Sequence, residues 1–173
     1  IKCASFNRYT PVDVVRAAAL SSRADQITLY TGNDDNIVVD LLTEYQFTHN
    51  GKVYKKRFQG GLLGHWSIWT KKVVELFPKL KNQNATPELL TLAAEITDAN
   101  SAVFDVAHDF KGCIPGIHEV LRRQGLLEGT WCLNPDEVLS EGQAGEINRI
   151  YEMSPHLNDD EFVKEFLKRH ECI

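Results

Sequence analysis

The sequence has no apolar run of about eighteen residues, the length a helix needs to cross a bilayer, and no basic start followed by an apolar stretch of signal-peptide type. No membrane partner is expected. Basic charge is also scarce: 19 Lys and Arg face 24 Asp and Glu, for a formal net charge of −5. No basic cluster with interleaved aromatics offsets this, so no nucleic-acid partner is expected either. The four cysteines, Cys3, Cys113, Cys132 and Cys172, lie far apart and form no C-x-x-C pair. That argues against zinc and thioredoxin-type sites and predicts reduced thiols in a cytoplasmic protein. Repeats and low-complexity tracts are missing too. What is present, 173 residues with 43% hydrophobic and 25% charged, fits one ordinary globular domain.

The opening run Ile1-Lys2-Cys3-Ala4-Ser5-Phe6 has no initiator methionine and no helix cap, and it sets a lysine among small apolar residues. It reads as a strand entered part-way. Thr10-Pro11-Val12-Asp13 supplies a cap, a proline and an acid for a helix over about 11–22. The β-branched and aromatic run 26–31 then predicts a strand that stops at Gly32-Asn33-Asp34-Asp35-Asn36. Strand, helix, strand at this spacing implies parallel pairing through a right-handed crossover. A short helix over about 36–42 leads to a hairpin over 44–58 with Asn50-Gly51 at its turn, and the returning strand continues toward 60–64. Helices are expected over about 66–80, 86–110, 114–124, 139–151 and 159–170, with a polar connector at 82–85.

Three strands do not close a barrel, and a small parallel sheet under so many helices keeps a bare edge. The chain therefore reads as the carboxyl half of an α/β fold of (β/α)₈ type, in which functional groups sit at the carboxyl ends of strands. Those ends read Ile1-Lys2, Thr31-Gly32-Asn33-Asp34 and Gly64-His65-Trp66-Ser67. Farther on, the segment from Cys113 to Gly129 carries a helix that ends at Gly125, before Leu139-Ser140-Glu141-Gly142-Gln143 opens the last part of the chain. In order and spacing these segments resemble the dihydrodipicolinate synthase and N-acetylneuraminate lyase superfamily of Schiff-base barrels. The resemblance covers all 173 residues as that family's carboxyl half. It implies about three barrel strands with the hairpin insertion over 1–80 and a helical region of the same domain over 81–173.

The resemblance also implies chemistry. Lys2 would form an imine with a 2-oxo acid of pyruvate type, making the protein a metal-independent lyase or synthase with no cofactor. A lysine directed into an enclosed apolar space loses hydration of its ammonium form, and the neutral amine then attacks a carbonyl. Substrate contacts would come from Gly32, Asp34, Ser67 and His65. The family's catalytic tyrosine and carboxylate-binding segments would precede Ile1, Tyr30 is no substitute by position, and association as a dimer or tetramer is implied. From the residues alone, Gly32 is either a close-approach glycine, free to take positive φ, or an ordinary turn glycine. Asp35 reads as either a second acceptor of substrate hydroxyls or a helix cap, Ser67 as either a substrate contact or a cap, and Asn33 departs from the family's paired acids. His108 with Asp105 and Asp109 suggests a metal cluster, but an i, i+4 pair of acids on a wet helix face explains it better. Two other functions compete: a non-catalytic half-barrel or assembly subunit, and a metal-dependent hydrolase using Asp34, Asp35, His65 and His108.

Overall fold

A computed structural model describes residues 1–5, 7–82 and 84–170. Phe6, Gln83 and 171–173 lie outside the described residues, and with them the end of the opening strand run, part of the polar connector and the fourth cysteine. The elements are β1 (Lys2–Cys3), α1 (Tyr9–Leu20), β2 (Leu29–Thr31), α2 (Ile37–Leu42), β3 (Tyr45–His49), β4 (Lys52–Lys56) and β5 (Phe58–Gly61). They are followed by α3 (Thr70–Asn82), α4 (Pro87–Val103), α5 (Cys113–Arg123), α6 (Gln143–Met153) and α7 (Asp160–His170). The protein is α/β, with a small parallel sheet and a majority of helix. Among the described residues no helix is long and apolar enough to cross a membrane.

The chain divides into two compact units: residues 1–63 with 78–97, and 64–77 with 98–173. In the first, β1, β2 and β5 form a parallel sheet in that order, with Lys2 opposite Tyr30, Cys3 opposite Thr31, and Thr31 opposite Gly61. Paired residues of a parallel sheet share a face, and successive residues alternate. Cys3, Leu29, Thr31 and Phe58 are therefore buried on one face, where a side chain on Gly61 would strike Ile37 of α2. Lys2 and Tyr30 share the opposite, exposed face.

Several expected boundaries shift for local reasons. The helix α1 starts at Tyr9, because the Asn7 side chain, and not Thr10, accepts the Tyr9 amide at 3.0 Å. The strand expected from residue 26 begins only at Leu29, since Ala24–Gln26 closes a 3₁₀ turn in which the Gln26 amide reaches the Arg23 carbonyl at 2.9 Å. The hairpin forms as read, with Asn50 and Gly51 both at positive φ, 49° and 72°, as a type I′ turn requires. Its returning strand does not run on toward residue 64. β4 pairs only with β3, and β5 is a separate strand parallel to β2.

The second unit packs Ile68, Trp69, Ala99, Ala102, Val103, Val120, Ile147 and Ile150 into one apolar cluster. The helix expected over 86–110 stops at Val103, because Asp105 takes left-handed backbone, φ 57°. Its buried carboxylate accepts the Gly112 amide at 2.8 Å and the Ser140 hydroxyl, and pairs with His108 Nδ1 at 2.6 Å. Asp105 and Asp109 both have left-handed backbone here, so they do not form an i, i+4 pair on a helix face. The helix α5 ends with the Leu126 amide on the Leu121 carbonyl and the Gly125 amide on the Arg122 carbonyl, a Schellman closure around Gly125. The helix α6 begins at Gln143, later than residue 139, because the Gln143 side chain accepts the Ser140 amide at 3.1 Å and donates to Val103 and Gly112 carbonyls.

Candidate functional site

The first unit brings Lys2 and Gly32 together. Strand β1 delivers Lys2 to the exposed sheet face, and its neighbour in register is Tyr30. Gly32 follows Tyr30 by two residues and continues that face just past the end of β2. A Cβ added to Gly32 would lie 3.0 Å from Lys2 Cε and 3.1 Å from Ala4 Cβ. The lysine stem thus lies across the glycine, just past the end of β2. Gly32 is not among the positive-φ glycines, so it serves close approach and not a left-handed turn. The Gly32 amide donates to the Cys3 carbonyl at 2.6 Å and ties the turn to the lysine strand.

Beneath this turn sits a carboxylate that the sequence reading passed over. Asp40 is fully buried, with 0% of its surface exposed. Its Oδ2 accepts the Thr31 hydroxyl and the Asn33 side-chain amide, each at 2.8 Å. Its Oδ1 takes Arg8 Nη2 at 2.6 Å and the Tyr45 hydroxyl at 3.3 Å. Burial together with the Asp40 charge pushes the Tyr45 phenol up to about 12. Asn33 turns inward: its Oδ1 accepts the Ser5 backbone amide at 3.0 Å, and its backbone N–H donates to Thr31 Oγ1 at 3.2 Å. The departure from paired acids at position 33 therefore fills a buried structural role. A signal for Asp40 is present in the sequence. It is a single charge inside the apolar helix run Ile37-Val38-Val39-Asp40-Leu41-Leu42, and a buried charge requires partners.

Asp34 is half-buried in the turn after β2. Asp35 does not cap α2: its carboxylate faces Arg8 Nη1 at 3.5 Å, and its carbonyl accepts the Thr97 hydroxyl at 3.1 Å. Ser67 and His65 belong to the second unit. The Ser67 hydroxyl donates to the Gly64 carbonyl at 3.0 Å. Capping of α3 falls instead to Asp159, whose Oδ2 accepts the Lys71 amide at 3.0 Å. His65 is 3% exposed, pairs its Nδ1 with Asn100 Oδ1 at 3.3 Å and lies edge-on to Trp69. Burial pushes its pKa down to about 4 against the opposing effect of the Asn100 bond, so the ring is neutral at pH 7.

His108 pairs with Asp105 in the second unit, and Asp34 and Asp35 belong to the first. Among the described residues no three His, Cys, Asp or Glu side chains are grouped so as to hold a metal ion. What this end of the sheet offers chemically is a primary amine whose stem passes over a glycine just past β2. Comparison with family models, with curated proteins and with solved structures found no match to this chain.

Proposed function

We propose that this chain is the carboxyl half of a (β/α)₈ barrel of the dihydrodipicolinate synthase and N-acetylneuraminate lyase kind, and that Lys2 forms an imine with a 2-oxo acid of pyruvate type. The observation that carries the reading is the lysine stem lying across Gly32 at the carboxyl ends of two parallel strands. Three parallel strands in chain order, with Lys2 on the face away from α2, agree with the inner wall of such a barrel. The neutral amine attacks the carbonyl carbon, and its two protons leave with the carbonyl oxygen as water. Uptake of one proton gives an iminium. That cation accepts the electron pair of the neighbouring carbon–carbon bond as it breaks, or returns it as a new bond forms, so the chemistry needs no metal or cofactor.

Gly32 gives the substrate access to the amine, and Asp34, in the same turn, is the group proposed to accept hydrogen bonds from substrate hydroxyls. The resemblance adds Ser67 as a further substrate contact. The same resemblance carries the expectation of a cytoplasmic homo-oligomer.

Imine formation acidifies the carbon next to the former carbonyl, so the reading is tested by following pyruvate methyl protons in heavy water by NMR. Exchange catalysed by the unaltered chain and abolished in Lys2→Arg is expected. Exchange that persists undiminished in Lys2→Arg removes Lys2 from the mechanism.

A further inference from the structure

Asp40 gathers polar groups from the end of β2 and the turn after it, from the residue before α1 and from the hairpin, and it does so from inside the fold. Its Oδ2 takes Thr31 and Asn33, the residues that flank Gly32 in sequence, each at 2.8 Å. Through Asn33 Oδ1 the same cluster holds the Ser5 amide at 3.0 Å, three residues after Lys2. Arg8 spans both oxygens, with Nη2 on Oδ1 at 2.6 Å and Nη1 on Oδ2 at 3.4 Å, and Oδ1 also accepts the hydroxyl of Tyr45, the first residue of the hairpin, at 3.3 Å. A leucine at this position would complete the apolar face of α2 without desolvating a charge. The carboxylate instead holds the residues either side of Gly32 together with Arg8 and the first residue of the hairpin.

From this, and resting on the proposed imine chemistry, we infer that Asp40 is a positioning residue: through Thr31 and Asn33 it fixes the Gly32 turn against the end of β1 and so sets where the Lys2 amine stands. The carboxylate touches no substrate. Its effect runs through hydrogen bonds at Oδ2, and the Tyr45 bond at Oδ1 anchors only the hairpin.

The two sides of the carboxylate provide the test. Asp40→Asn takes away the charge opposite Arg8 and risks losing the fold, so the deciding variants each remove a single hydroxyl. Thr31→Val deletes a bond on the lysine side, and Tyr45→Phe deletes one on the hairpin side. The readout is the rate at which borohydride traps pyruvate on Lys2, followed across pyruvate concentrations. With a misplaced amine, Thr31→Val slows trapping at saturation by about tenfold or more and leaves the half-saturating concentration within about twofold, whereas Tyr45→Phe matches the parent. Three results overturn the inference: parental trapping in Thr31→Val, an effect confined to half-saturation, or equal slowing in Tyr45→Phe. Absence of any adduct on Lys2 in the unaltered chain overturns the imine reading and this inference with it, and so is distinguished from failure of the inference alone.

Discussion

At Gly32 the sequence leaves out a side chain where the structure has no room for one. An added methyl would stand 3.0 Å from Lys2 Cε and 3.1 Å from Ala4 Cβ, closer than carbon atoms ordinarily pack. The lysine stem is the softer neighbour, so it is the part that gives. Gly32→Ala is therefore expected to change the free energy of unfolding by less than about 1 kcal/mol, since the lysine yields more readily than the core. The same variant should slow borohydride trapping on Lys2 by about tenfold or more, because a small displacement of a reacting group costs rate steeply. Urea unfolding and the trapping rate, measured on one preparation, check both halves. A variant that traps at the parental rate would mean that the contact does not guide the amine.

Among the elements, the pieces set by local chemistry were the legible ones. Asn50-Gly51 fixed the hairpin, Gly125 fixed the end of α5, and the apolar runs located α2 and β2. Misjudged boundaries trace to side chains acting across distance. The carboxylate of Asp105 breaks the helix at Val103 by binding Gly112 and Ser140, which lie 7 and 35 residues away in sequence. Asp40 collects Arg8 and Thr31 from 32 and 9 residues away, and no local pattern announces that convergence. The closeness of Lys2 and Gly32 follows from two strand segments that the sequence marks and the sheet pairs, whereas the inward turn of Asn33 depends on Asp40 and no local pattern marks it. Asp159 belongs to the same class. It caps α3 at Lys71 and accepts Gln124 Nε2 at 2.9 Å, and it is nearly buried while doing so. Asp159→Ala is expected to lower the unfolding free energy by about 1 to 2 kcal/mol, from one lost cap and one lost hydrogen bond, since Gln124 Nε2 keeps Asp160 Oδ1 at 2.9 Å. A urea midpoint unchanged from the parent would show that neither bond matters to stability.

For the molecule as a whole, acid stability hangs partly on His65. Its pKa in the fold, about 4, lies below the ordinary 6.5, so on acidification the unfolded chain takes up the proton first. The stabilisation is complete above about pH 6.5 and is lost as the pH falls toward 4. Between pH 7 and pH 5 this one group should remove about 2 kcal/mol from the free energy of unfolding. His65→Gln should show a correspondingly shallower loss in urea titrations at the two pH values, and an equal slope in both proteins would place the acid sensitivity elsewhere. The proposed imine on Lys2 is tested by incubating the unaltered chain with pyruvate, reducing with borohydride and mapping the product by peptide mass spectrometry. A reduced pyruvate adduct on Lys2 that is absent without borohydride is expected. Finding Lys2 unmodified, or the adduct spread over surface lysines such as Lys52 and Lys55, would contradict it.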